Sequence, residues 1–367
     1  MVKSNRIISL DIFRGLTITI MIVVNNPGSW NYVYSPLRHA KWNGCTLADL
    51  VFPFFLFIVG VSMWYSLKKY GHELNAGSVF RILRRTVAIF AVGLFLAVFP
   101  YFDRDYSNLR IMGVLQRIAL AYCFGAIICL TIKRDYLWIV TAVILLTYWG
   151  VLAIFGTNDP FSPEGNIVRR VDMVLLGKDH MYTGFGIPFD PEGLLSTIPA
   201  ISTVIIGFYS AGLTGKKGGF KTVYKFAFIG LGLTGLGLLW GKILPINKPL
   251  WTSSYVLYTA GIAMIVFAFI YWIADVAKFR KWGLFFTVFG INAIFSFFLA
   301  GIWTKLMLYI KIPFQGGKTS LYSWSFEKVF SHLFGNMNGS LIFAIFQMLL
   351  IWIFALLLYK RQIMIKL

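Results

Sequence analysis

Apolar residues run along this chain in blocks of about twenty, broken by short clusters of Lys, Arg, Asn, Gly and Pro. A helix of that length, rising 1.5 Å per residue, matches the hydrocarbon thickness of a bilayer. Such blocks fall at about 7–24, 47–67, 86–101, 111–132, 136–155, 193–213, 226–244, 254–275, 283–304 and 338–359. The pattern predicts ten transmembrane helices and no strand among them. No Pro/Gly/Ser-rich stretch separates two units, so residues 1–367 read as a single transmembrane domain of an all-α polytopic membrane protein. Glycines repeated between Ile229 and Gly237 predict close helix packing. A nucleotide loop is not expected there, because no strand precedes them.

Composition agrees. Hydrophobic residues make up 58% of the 367 and charged residues only 13%, against about 25% charged in soluble domains. Lys3 and Arg6 ahead of the first block resemble the start of a signal peptide. Asp11 and Arg14 interrupt that block, however, and no small-residue cleavage site follows, so it reads as a retained helix. Cys45, Cys123 and Cys129 show neither a disulfide framework nor metal-ligand spacing.

The net charge of +20 could point to nucleic acid, but its distribution argues for a membrane. Nineteen of the 34 Lys and Arg fall in short loops on the side of the termini, among them Lys3, Arg6, Lys68, Lys216, Lys217 and Lys366. Thirteen lie in the opposite loops, which are about twice as long in total. The positive-inside rule then makes both termini cytoplasmic. The two long loops, about 156–192 and 305–337, become external.

Ionisable groups at membrane depth are costly and need a reason. Asp11 and Arg14, three apart on the first helix, face the same way, either as a structural ion pair or as the lining of a cytoplasmic vestibule. Arg81, Arg84 and Arg85 precede the third apolar block, where they set orientation or hold phosphates. Asn25 and Asn26 end the first helix, where a cap is the plain alternative. His39 lies ten residues before Asp49, which opens the second helix. A carboxylate there could orient the imidazole and fix its tautomer. Arg117, seven residues into the fourth block, needs a partner, with Asp49 or Glu192 as the candidates. No metal is expected, since no two histidines have ligand spacing. His180, Asp190 and Glu192 share an external loop with aromatics, a surface suited to a sugar or to a packed lid.

The chain also resembles a known family. The stretches that carry the likeness are Arg6-x-x-Ser9-Leu10-Asp11-x-Phe13-Arg14-Gly15-Leu16, then Asn25, then His39-Ala40-x-Trp42-Asn43-Gly44-x-Thr46-x-Ala48-Asp49. Gly113-Val114-Leu115-Gln116-Arg117, Asp190-Pro191-Glu192-Gly193 and Asn247-Lys248-x-Leu250-Trp251 add to it. Together they are similar to the heparan-α-glucosaminide N-acetyltransferase family, in its bacterial-type form. The resemblance implies an acyltransferase that moves an acetyl group from cytosolic acetyl-CoA to a glucosamine-type amine on the far side, acting as a homodimer; if the chain is bacterial, its place is the cell (inner) membrane. It implies His39 and Asn25 as active-site residues, and the position of Asp49 adds a supporting carboxylate. Acetyl-CoA would pass Asp11, Arg14, Arg81, Arg84, Arg85 and Arg117. The acceptor would meet Trp42, His180, Asp190, Glu192 and Trp251. Three more residues separate Asn25 from His39 than in the lysosomal member, and an N-terminal lumenal domain is not expected. The competing class is a transporter for amino sugars or glycan fragments, which would show broken helices in matching positions of two repeats.

Overall fold

The computed structural model describes residues 7–103, 105–214, 218–314 and 317–365. Of the charges used for orientation, Lys3, Arg6, Arg104, Lys216, Lys217 and Lys366 lie outside them. The chain is an integral membrane protein built almost entirely of helices. They are α1 (Ile8–Asn25), α2 (Leu47–Leu67), α3 (Ala76–Val98), α4 (Val114–Thr131), α5 (Leu137–Phe155), α6 (Ile167–Leu176), α7 (Thr197–Ala211) and α8 (Phe220–Trp240). They continue with α9 (Ser253–Tyr271), α10 (Leu284–Ile291), α11 (Ala293–Tyr309), the short α12 (Leu321–Ser325) and α13 (His332–Phe334), and α14 (Asn336–Lys360). Between α11 and α12, β1 (Lys311–Phe314) pairs antiparallel with β2 (Gly317–Ser320), Lys311 opposite Ser320.

Among the described residues eight helices are long and apolar enough to cross a membrane, and a bent pair provides up to a ninth. That pair, α10 and α11, turns by 71° at Asn292, where the sequence predicts one continuous span. The third predicted span also differs. Helix α3 begins at Ala76, ten residues early, because Asn75 caps it by accepting from the Ser78 N–H at 3.0 Å. Arg81, Arg84 and Arg85 therefore sit inside α3 and not in the loop before it.

Helix α2 is apolar on every side, as a span must be, and lies buried among the other helices. It contacts α7 backbone to backbone at Gly60 and Gly207. A Cβ at Gly60 would lie 2.0 Å from the Val204 carbonyl oxygen, and one at Gly207 2.1 Å from that of Phe57. Small residues let helices approach this closely where burial in lipid gives no hydrophobic drive. The glycine run of α8 behaves as its spacing predicts, Gly230 and Gly237 meeting the α9 backbone at Gly261 and Tyr258.

A candidate active site at the head of helix α2

Asp49 is the third residue of α2 and is buried. Its Oδ2 accepts from the backbone N–H of Thr46 at 3.1 Å, the Thr46 hydroxyl at 3.0 Å and the Ala40 N–H at 3.0 Å. A carboxylate reaching back over a helix start satisfies donors that the helix cannot. Its other oxygen, Oδ1, lies 2.7 Å from His39 Nδ1. Lys248 Nζ stands 3.3 Å from the same Oδ1 and 3.2 Å from His39 Nδ1. An imidazole nitrogen that close to a carboxylate oxygen must carry the proton, since two lone pairs would repel. His39 therefore donates from Nδ1, and Nε2 remains as the base. The imidazole is half-exposed above a carboxylate that is 1% exposed.

Two distant loops hold this cluster. Gly44 N–H donates to the Ile246 carbonyl at 2.7 Å, and the Asn247 amide donates to the Trp42 carbonyl and to Asn43 Oδ1, each at 3.0 Å. Asn247 Oδ1 accepts from the Leu250 N–H at 2.7 Å. Tyr255 of α9 donates to the Asp49 carbonyl at 2.5 Å. Lys248 is the member of this cluster that sequence reasoning did not single out, although the segment containing it carries part of the family likeness. Its cue was a cation in a turn between two apolar blocks, and its partner Asp49 lies 199 positions away in the chain.

Asn25 and Asn26 divide their work. Asn26 is buried, donates to the Ile22 carbonyl at 2.7 Å and accepts from the Thr304 hydroxyl at 2.5 Å, so it takes the capping role. Asn25 is exposed and makes no side-chain hydrogen bond among the described residues. Cys45 adjoins Asp49, but burial pushes its thiol up to about 12, with the Asp49 charge adding to this and Lys248 opposing it. It stays protonated at neutral pH and is not a nucleophile.

The remaining candidates take other places. Arg117 is fully buried. Its expected carboxylate partner is replaced by the Gly193 carbonyl at 3.2 Å, the Ser196 hydroxyl and the face of Trp251. Trp251 is equally buried, edge-on to Phe52 and Tyr255, and its backbone stands at φ 51°. Arg117 Nε and Nη1 and Trp251 Nε1 are buried without a hydrogen-bond partner among the described residues. Asp190 and Glu192 instead serve Arg110, a residue the sequence did not single out. Arg110 donates to Asp190 at 2.8 and 2.7 Å and to Glu192 at 2.5 Å. Burial would raise the Glu192 carboxyl, but Arg110, with Arg117 and Lys248, holds it low. Burial would lower the Arg110 guanidinium, and the two carboxylates hold it above its ordinary value. Asp190, at 0% exposure, has no free oxygen edge for a substrate.

His180 is half-buried and bonds the Leu109 carbonyl through Nδ1 at 2.8 Å, tying two loops together. Trp42 donates to the Phe161 carbonyl at 2.7 Å and packs edge-on against Phe185 and Phe189. At the far end of α1, Arg14 pairs with Asp11 at 3.2 Å and also donates to the Gly290 carbonyl and the Ser62 hydroxyl. Arg85 lies 4.7 Å from the Tyr122 ring centre.

Asp172 of α6 braces the segment after Asp190. It accepts from the N–H groups of Leu194 and Leu195 at 3.0 and 3.3 Å. Burial raises its carboxyl to about 6, with those N–H groups and Arg117 pulling it back. A folded-state value above the unfolded 3.8 means that the folded state binds the extra proton. The contribution to stability is then full below the unfolded value and is lost as pH rises to about 6. Melting of Asp172→Asn in detergent should therefore lack the falling limb that the parent shows over that window. An unchanged pH profile in the variant would contradict the assignment.

The catalytic-region model of heparan-α-glucosaminide N-acetyltransferase matches residues 6–164. The human heparan-α-glucosaminide N-acetyltransferase is 29% identical over 333 residues, covering 74% of this chain and 49% of that protein. The mouse protein of the same name is 28% identical over 337 residues, covering 75% and 50%. The chain thus spans about half the length of the curated relatives it matches.

Proposed function

We propose that this chain, which belongs to the heparan-α-glucosaminide N-acetyltransferase family, moves an acetyl group across the membrane from cytosolic acetyl-CoA to an amino-sugar amine at the His39 end of the bundle. The observation that carries the proposal is the His39–Asp49–Lys248 cluster, a base held in one tautomer by a buried carboxylate. From Asp11 to Asn25 helix α1 rises about 21 Å at 1.5 Å per residue, a distance suited to an extended pantetheine arm. The nucleotide would sit near Arg81, Arg84 and Arg85, and the arm would pass Asp11 and Arg14. Arg117, being sealed under Trp251, is left out of that path.

In the direct route the acceptor amine attacks the thioester carbonyl as His39 Nε2 takes its proton. Asn25 donates to the developing oxyanion, the C–S bond breaks, and the proton passes to the departing thiolate. In a covalent route His39 carries the acetyl group first. The direct route is favoured because a threaded thioester needs no carrier. Glu192 and Trp42 border the acceptor side, and two copies of the chain form the working unit.

The test is incubation of the purified protein with labelled acetyl-CoA and glucosamine, glucosamine oligomers and cell-wall amino sugars, followed by mass spectrometry. Label on a sugar nitrogen is expected. Sugar counterflow in vesicles without CoA, and no labelled product, would instead favour the transporter. In the same assay Asn25→Ala should slow turnover roughly 10²–10³-fold, and an unchanged rate would remove Asn25 from the oxyanion role.

A further inference from the structure

A cavity of about 550 Å³ opens between the ends of α3, α4 and α11, with Tyr101 and residues of the 105–113 segment as its remaining wall. It is distinct from the loop of His39. Its floor is the head of α4, where Gly113, Val114, Leu115 and Gln116 all line it. This helix start has no cap. Gly113 offers no side chain, and the N–H groups of Val114, Leu115 and Gln116 find no acceptor among the described residues. The donors open a helix of eighteen residues, so the positive end of its dipole faces the cavity.

A second, independent observation points to a ligand. The side chain of Gln116 is 3% exposed, lines the cavity and makes no hydrogen bond among the described residues. Its amide is not among the sealed polar atoms and opens onto the cavity, where its donor and acceptor are available to an occupant. Two glycines make its position possible. A Cβ at Gly93 would lie 2.6 Å from Gln116 Oε1, and one at Gly113 3.1 Å from it.

The charged groups at the rim are biased to donors. Arg110 commits Nε and Nη2 to Asp190 and Glu192, which leaves Nη1. Lys305 donates to the Leu96 and Phe99 carbonyls and brings its charge to the wall. The lining carboxylate, Asp105, is turned to its own turn, accepting from the Ser107 N–H and hydroxyl at 2.9 and 2.7 Å. Leu96, Val98 and Phe297 supply an apolar side.

We infer that this cavity is an oxyanion-binding site, taking a phosphate or sulfate ester carried either by the acceptor sugar or by a lipid headgroup. Helix N-termini with free N–H groups bind such groups readily. The site stands on its own geometry, and only its link to the acceptor rests on the acetyltransferase reading. Across its wall Arg110 touches Glu192, whose charge is in turn sensed by Lys248.

Binding is read without acetyl-CoA, so failure of this site and failure of acetyl transfer are distinguishable. The full chain, purified in detergent, is titrated with glucosamine 6-phosphate, glucosamine and inorganic phosphate, and separately with short-chain phosphatidylglycerol and phosphatidylcholine. Thermophoresis reports binding, and melting checks that each variant folds. The phosphate-bearing probe should saturate, and Gln116→Leu should weaken it about tenfold or more. Gly93→Ala, which displaces the same amide while favouring the helix, should do likewise, so the test survives if Gln116→Leu misfolds. Saturation by glucosamine 6-phosphate assigns the ester to the acceptor, and saturation by phosphatidylglycerol alone assigns it to the bilayer. Absence of saturable binding by any phosphate-bearing probe, or equal affinity in both folded variants and the parent, overturns the site.

Discussion

Replacing His39 by alanine is expected to lower acetyl transfer roughly 10²–10⁴-fold while leaving binding of acetyl-CoA and the melting temperature close to the parent's. The geometry explains both halves of that expectation. The imidazole is half-exposed, and its hydrogen bond goes to a carboxylate that keeps three other donors on Oδ2 and a lysine on Oδ1. Removing the ring leaves Asp49 paired and the α2 start intact, so the structural penalty is small. What disappears is Nε2, the acceptor for the amine proton. Single-turnover measurement with saturating acetyl-CoA separates the chemical step from binding. Turnover at the parental rate would exclude His39 from the chemistry. A burst of acetylated parent protein without acceptor, with the label on His39, would instead establish the covalent route.

The order of the long helices was legible because each apolar block is sustained over a bilayer's thickness, and hydropathy reports that without any tertiary information; their number was less so, ten spans being expected where the described residues hold eight, or nine with the bent pair. Position within a block was less legible. The start of α3 depends on Asn75 and Ser78, a reciprocal cap inside a basic stretch whose charges hid the helix. The break at Asn292 was invisible because the residues on both sides are apolar, and the kink is supported by contacts from elsewhere: the Asn292 amide donates to the Ile363 carbonyl, and its oxygen accepts from the Ile365 N–H.

At the site, local spacing was informative and long-range pairing was not. His39 and Asp49 lie near enough in sequence, on either side of a helix start, for their contact to be anticipated. Lys248 reaches them only because Asn247 ties its turn to the loop of Trp42, a pairing that no periodicity encodes. Arg117 drew attention as a buried charge, whereas of its two candidate carboxylates Asp49 serves His39 and Lys248 and Glu192 serves Arg110, a loop residue that stood out only as part of the basic count. Composition identifies costly charges but not who neutralises whom, since that depends on how the 190–196 segment folds over α4.

Asp49→Asn should be nearly as damaging as loss of His39, lowering transfer roughly 10²–10⁴-fold, and unlike His39→Ala it should also cost stability, about 1–3 kcal/mol. An amide has one accepting oxygen where the carboxylate has two. Three donors converge on Oδ2, two of them backbone N–H groups that cannot turn away. The single amide oxygen of the variant must therefore take the Oδ2 position, and its NH₂ then faces His39 Nδ1 and Lys248 Nζ. His39 can answer only by moving its proton to Nε2, which presents a donor where the reaction needs a base. Lys248 meanwhile loses its counter-charge in a partly buried setting. The expected signature is a collapse of kcat with the KM for acetyl-CoA little changed, together with a lower Tm. Lys248→Met, which keeps the carboxylate and the His39 tautomer, should reduce kcat much less. Parental kcat in Asp49→Asn, or a larger loss in Lys248→Met than in Asp49→Asn, would show that the carboxylate does not set the state of the imidazole.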